Sequence, residues 1–275
     1  MRRKVRPLCF AHIQKSGGTS AFDFIIKSFR ANETWNDSMY QRIWARDFVP
    51  MHLDAIRARK YRLVYGHFDP TPLFGRFKGS YFTVLRDPID RVLSLYNFCA
   101  TMDDETLGGI TGVQSPDFTE RTPSTYALAG DMIAMIDMVR AGLSFADFIR
   151  LPEHLFPGLE SWSDYLAYLP KDGTPEDYAA RFAVIGIADD MTWSLTALAK
   201  HMRWPPPVEV PYINKTPQAI VSRADITADD IAIINSRTRF EAELYKIAER
   251  RRNAKGGLAG FFKTLSNAVH RAAHR

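Results

Sequence analysis

The chain has 275 residues and a mass of 31.3 kDa, the size of one large α/β domain. Its 46% hydrophobic and 24% charged residues exclude a disordered chain, and its apolar runs fall short of the roughly 18 residues a membrane span needs. The net charge of +5 sits at the ends. Seven Lys/Arg without an acid occupy residues 250–275 and four occupy residues 1–6, which leaves the body at −6, so no general polyanion or nucleic-acid binder is expected there.

The basic start (Arg2, Arg3, Lys4, Arg6) leads into an apolar stretch broken by His12, Gln14 and Lys15. That is too short and polar for a signal-peptide core, so a cytoplasmic location is expected. Cys9 and Cys99 lie in apolar company without metal-ligand spacing and read as buried free thiols. No repeat or low-complexity linker divides the body. One domain over residues 1–250 is expected, followed by a tail over 251–275.

Pro7–Ile13 is an apolar run of strand length. It meets the turn Gln14–Ser20, and Phe22, Ile25, Ile26 and Phe29 then recur at helical spacing over 21–29. Strand, glycine turn and helix open a phosphate-binding α/β unit. Segments 38–47 and 50–59 read as helices and Tyr61–Gly66 as a second strand. Ser80–Leu85 reads as a third strand. Asp87 as N-cap and Pro88 as first residue start the next helix, with Ile89, Val92, Leu93 and Tyr96 as its buried stripe. Residues 102–123 have no period and read as a long functional loop or lid. Helical patterns resume at 124–140 and 144–150. Phe182–Ala188 is the last strand, with a helix from Asp189 or Asp190 to about Met202, ended before Pro205–Pro207. Thr227–Asp230 starts one final body helix to about Arg250. Strands alternating with helices predict a mostly parallel sheet covered on both faces.

Two segments carry the chemistry. In Lys15-Ser-Gly-Gly-Thr-Ser20, Gly17 and Gly18 let the backbone approach an anion, and the following helix offers unpaired N–H groups. Ser16, Thr19 and Ser20 add hydroxyls, and Lys15 a full charge. The bland alternative is a tight turn without a ligand. The lysine precedes the glycines, unlike the nucleoside-triphosphate loop, which counts against a kinase. The second segment puts Arg86 at the carboxyl end of a strand, with Ser94 eight residues on; there the guanidinium fork suits a phosphate. An Arg86–Asp87 helix-start ion pair with a solvent-facing serine is the alternative.

Together, Phe10–Ser20 and Thr83–Tyr96 resemble the sulfotransferase family, in particular the carbohydrate-modifying branch with its His-Ile-Pro-Lys-Thr-Gly-Gly-Thr-Ser-like opening. Gln14 and Ser16 depart from that pattern's proline and threonine. Phe182–Leu198 resembles the family's later strand–helix element, and Asn214-Lys215 a short downstream motif. The resemblance implies a three-layer, P-loop NTPase-like fold and the donor 3′-phosphoadenosine 5′-phosphosulfate (PAPS), with adenosine 3′,5′-bisphosphate (PAP) as product. It also implies that Lys15, Ser16, Gly17, Gly18, Thr19 and Ser20 hold the 5′-phosphosulfate, and Arg86 and Ser94 the 3′-phosphate. No metal is expected. His67, after the second strand, is the candidate base for a carbohydrate or glycan hydroxyl, against a structural histidine; Asp69 either orients it or starts a turn. His12 is expected to orient the loop. The middle, 102–180, matches no known pattern.

The competing readings are a nucleotide-dependent phosphotransferase and a non-catalytic nucleotide-binding, membrane-associated module. In the tail, Leu258, Phe261, Phe262, Leu265 and Val269 form one helical stripe beside Lys263, His270 and Arg271. That stripe suits an anionic membrane surface, peripheral on its inner face, and a lipid-linked acceptor. Packing on the domain or a solvated tail are the alternatives.

Overall fold

The computed structural model describes residues 6–36, 61–66, 70–103, 136–151, 173–210 and 219–254. Five strands form one parallel sheet: β1 (Leu8–Ala11), β2 (Thr34–Asn36), β3 (Leu63–Gly66), β4 (Ser80–Leu85) and β5 (Val184–Ile187). Their order is β2-β3-β1-β4-β5. The helices are α1 (Gly18–Ile26), α2 (Pro88–Thr101), α3 (Phe145–Phe148), α4 (Pro175–Arg181), α5 (Met191–Met202), α6 (Ala228–Arg237) and α7 (Arg239–Ala254), with a further helical stretch at 136–140.

Side-chain alternation along the central strands builds two cores. Leu8 and Phe10 of β1 and Phe82 and Val84 of β4 meet Ala21 and Ile25 of α1 and Leu195, Leu198 and Met202 of α5. Cys9, Ala11, Tyr81 and Leu85 point the other way, onto Tyr178 and Ala179 of α4 and Leu244, Ile247 and Ala248 of α7. The result is a three-layer α/β structure. Each large apolar side chain buried this way stabilises the fold by roughly 1.5–3 kcal/mol. At β5 the absence of a side chain matters. A Cβ on Gly186 would stand 2.8 Å from that of Ser194, and the close approach lets the buried Ser194 hydroxyl bond both N and O of Ile187, at 2.7 and 2.9 Å. A third core joins α2 to 136–140, α3 and α6 through Tyr96, Ile136, Phe145, Phe148 and Ile234.

Several boundaries differ from those the sequence predicts. β2 was not expected; it is a three-residue strand that, among the described residues, pairs with β3 alone, too short for a pattern to emerge. α4 was likewise not expected; Thr174 caps it and Pro175 is its first residue. α1 begins at Gly18 rather than Ala21, because Gly18, Thr19 and Ser20 form its first turn instead of a preceding loop. The single helix expected up to Arg250 is two, broken at Thr238, whose backbone N and hydroxyl both bond the Ile234 carbonyl; α7 then runs on to Ala254. The caps at Asp87, Asp190 and Thr227 are as expected, and Cys9 and Cys99 are buried and free. Segments 38–47 and 50–59, nearly all of 102–123 and the tail 255–275 lie outside the described residues. Among the described residues, no helix is long and apolar enough to cross a membrane.

Candidate functional site

β1 pairs with β3 on one side and β4 on the other. The chain therefore leaves β1 toward one half of the sheet and later fills the other half from β4. The carboxyl ends of β1 and β4 thus flank the topological switch point, where open α/β sheets bind ligands. Ala11 is in register with Thr83, and the Thr83 hydroxyl donates to the Ala11 carbonyl at 2.8 Å. Both candidate segments, Lys15–Ser20 and Arg86–Ser94, leave the sheet from this shared edge.

The loop after β1 is built for close approach. Lys15 has φ 61°, left-handed backbone that disfavours a side chain, and Gly17, the N-cap of α1, has φ 75°. Such alternation of backbone sense turns successive amides toward one side, as in anion-binding nests. A Cβ on Gly18 would lie inside the His12 imidazole. That ring is buried and stacks on Phe10 and Tyr65, with centroids 5.6 and 5.9 Å away, while the His12 backbone N donates to the Gly66 carbonyl at 2.8 Å. His12 therefore supports the loop from beneath, as expected, although it stands just past the strand rather than within it. The Ser16 hydroxyl is buried and donates to the Gln14 carbonyl at 3.4 Å; Ser20 is buried, while Gly17 and Thr19 face solvent.

α1 has neither a side-chain cap nor an acid in its first turn. α2, α3, α4, α5 and α6 are all capped, by Asp87, Ser144, Thr174, Asp190 and Thr227. A helix start without a cap or an acid keeps a partial positive charge that an external anion can meet.

α2 forms the facing wall. Asp90, Ser94 and Phe98 follow one another at four-residue spacing, each half-buried between fully buried neighbours. The Lys15 ammonium lies over the Phe98 ring, 3.8 Å from its centroid, a favourable cation–π placement. Burial pulls Lys15 down to about 8, opposed by Cys99 and reinforced by the Arg86 charge. Arg86 also acts on Asp90, whose carboxyl is raised mainly by burial and by Asp87, with Arg223 and Arg86 pulling it back. Lys15 and Arg86 thus feel one another over a single helix stripe. Ser94 sits between the residues they touch or influence, and its hydroxyl makes no hydrogen bond among the described residues.

The Arg86–Asp87 ion pair weighed above does not form. Asp87 instead accepts from the backbone N of Ile89 and Asp90 at 3.0 and 3.2 Å, and Arg223 pairs with Asp87 and Asp90 at 3.5 and 3.2 Å. Arg86 has no ion-pair partner among the described residues. Arg223 was missed by sequence reasoning, since nothing in its surroundings patterns as a site. So was Asn97, whose buried amide donates to the Val221 carbonyl at 2.7 Å and accepts from the backbone N of Ile220 and Val221 at 2.7 and 2.9 Å. Together they hold residues 220–223 along α2. Phe98 was legible in principle, one helical turn beyond Ser94. His67 and Asp69, with residues 211–218 that include Asn214 and Lys215, lie outside the described residues.

An oxyanion is what this arrangement accommodates. Among the described residues it offers two cations without ion pairs, a helix start without a side-chain cap, and a left-handed turn at Lys15 and Gly17. No protein-family model matches the chain, and no curated protein matches it.

Proposed function

We propose that the chain is a PAPS-dependent sulfotransferase of P-loop-like fold that acts on a hydroxyl of a carbohydrate or glycan. The observation that carries the reading is the placing of Lys15 and Arg86 at the switch point, each without an anionic partner among the described residues, over the stripe Asp90–Ser94–Phe98. A bisphosphorylated nucleotide needs two such grips, one for each phosphate. The residues fit the donor on structural grounds: the left-handed turn at Lys15 and Gly17 and the start of α1, with neither a side-chain cap nor an acid in its first turn, suit one phosphate. Arg86 and Ser94 then serve the other.

Bound, the donor supplies a sulfuryl group attached to a phosphate that can leave. The protein's part is positioning and charge. Lys15 and the first turn of α1 oppose negative charge as it grows on the leaving phosphate oxygen. Arg86 and Ser94 fix the 3′-phosphate and hence the register of the nucleotide. His67, which follows β3 directly in sequence, takes the proton of the acceptor hydroxyl. The reading includes no metal. It places the protein in the cytoplasm, with the tail beyond residue 250 bringing it to a membrane-borne acceptor.

Calorimetric titration with PAP and with ATP tests the reading. Tighter binding of PAP is expected; preference for ATP would turn the assignment to a phosphotransferase, and nucleotide binding without sulfate transfer to any of a panel of sugars would leave a binding module. Arg86→Ala is expected to weaken PAP at least about tenfold, as for loss of a charged hydrogen bond. It should also erase the preference for PAP over adenosine 5′-monophosphate, and a preference retained in the variant would remove Arg86 from the 3′-phosphate.

Lys15 gives the site a pH dependence. With its ammonium near 8 in the free protein, an approaching anion raises it, so binding takes up a proton. PAP affinity is therefore expected to hold below pH 8 and to fall above it, by at most about tenfold per pH unit. Lys15→Met should flatten that slope. In the free protein the sign is reversed: unfolding returns Lys15 toward 10.5, the unfolded chain binds the extra proton, and stability rises between those two values.

A further inference from the structure

Lys15 is held without being neutralised. A flexible four-carbon stem separates its strongly hydrated ammonium from the backbone, and a head of that kind gains most by turning out into water. Among the described residues no carboxylate pairs with it to prevent this. Yet the side chain is half-buried, with Nζ 3.8 Å from the centroid of the Phe98 ring. Phe98 is itself fixed: it packs against the core that joins α2 to 136–140, α3 and α6. An aromatic face differs from a carboxylate in the respect that matters at an anion site. Its quadrupole attracts the cation, but it carries no net charge, so the ammonium keeps its field and its N–H donors for an incoming oxyanion. A carboxylate in the same place would anchor the lysine and repel the ligand.

From this contact we infer that Phe98 is a positioning residue for Lys15: its ring face holds the ammonium at the switch-point edge, over the α2 stripe, with its charge uncompensated for the donor's phosphate. The inference deepens the function proposed above and rests on it for the identity of the anion. Phe98 acts through Lys15 and not on the reacting atoms. Few charged groups act on Lys15 besides. Burial lowers it to about 8, Arg86 adds to that, and Cys99 of α2 opposes it. Burial pushes the Cys99 thiol up to about 12, so the thiol stays neutral where Lys15 titrates. Burial on the ring is thus what separates Lys15 from an ordinary lysine at 10.5. With an aliphatic side chain in place of the ring, hydration wins, and the ammonium moves into solvent and titrates near its ordinary value.

The test compares the full-length wild type with Phe98→Leu and Phe98→Tyr. In NMR spectra of the free wild type, the Lys15 side-chain protons, assigned against Lys15→Met, are expected upfield of their usual position because they lie over the ring. In Phe98→Leu that displacement should vanish and the Nζ titration move from about 8 toward 10.5; Phe98→Tyr, which keeps a ring face, should retain both. Calorimetry with PAP between pH 7 and pH 9 reads the consequence. Phe98→Leu is expected to bind roughly tenfold more weakly at pH 7 and to change little up to pH 9, so that it closes on wild type as wild type weakens. Phe98→Tyr should follow wild type throughout. A merely structural role would weaken PAP equally at every pH, and that result would overturn the inference, as would a Leu variant matching wild type or a Tyr variant behaving like Leu. Lys15 protons at their usual position in wild type would overturn it too, and that observation needs no variant to fold. Failure of wild type to bind PAP would bring down the sulfotransferase reading; the spectra of the free protein would then decide by themselves whether the ring holds the lysine.

Discussion

Lys15→Ala is expected to lower the turnover of sulfate transfer about a hundredfold, the consequence of losing roughly 3 kcal/mol of transition-state stabilisation when one preorganised donor is removed. PAP affinity should fall less than turnover, because the uncapped start of α1 and Arg86 remain. The measurement is kcat for transfer from PAPS across a panel of sugars, beside calorimetry with PAP. Unchanged turnover would take Lys15 out of the chemistry. Lys15→Gly separates the two things this residue does. Glycine adopts φ 61° freely, whereas a lysine there carries a strain of about 1–2 kcal/mol, so the Gly variant should melt later than the Ala variant while being equally inactive.

The second large effect concerns stability. Arg91 of α2 and Glu241 of α7 form a bidentate pair at 2.5 and 2.9 Å, both side chains fully buried. Arg91→Leu leaves a carboxylate in the interior without its counter-charge, and a loss of about 3–5 kcal/mol is expected in urea denaturation. Glu241 is already raised above its ordinary 4.5 by burial, with Arg91 pulling against that rise. In the variant it is raised further, so the folded state holds the proton over a range where the unfolded state has released it. Stability of Arg91→Leu is therefore expected to fall as pH rises from about 4.5, and its deficit to be larger at pH 7 than at pH 5. Arg91→Leu combined with Glu241→Leu should recover most of the loss. A single variant as stable as wild type at pH 7 would show that the pair carries no such weight.

What could be read from the sequence follows the range of the interactions involved. β1, β4 and β5 lie in runs of apolar residues buried on both faces, a pattern carried by neighbouring residues. The Asp87–Pro88 start of α2 was legible for the same reason: the cap and the amides it accepts from lie within three residues. β2 was not, since Thr34–Asn36 owes its strand conformation to pairing with β3 rather than to its own composition. Arg91 reads as the polar side of an amphipathic helix until its partner, 150 residues away, is in place. The site divides the same way. Lys15, the glycines and Arg86 stand out as a local motif at strand ends, whereas Arg223 acquires meaning only from Asp87 and Asp90.

Asn97 and Arg91 are bonded by residues 124 and 150 positions further along. While the chain is still being synthesised, α2 therefore lacks these partners until residues 221 and 241 have been made. Contacts of such high order make for slow folding, and the helix that walls the site would be among the last elements to settle. A nascent chain shortened before residue 219 would expose that helix to aggregation or degradation, so synthesis through Glu241 is the step on which a competent site depends.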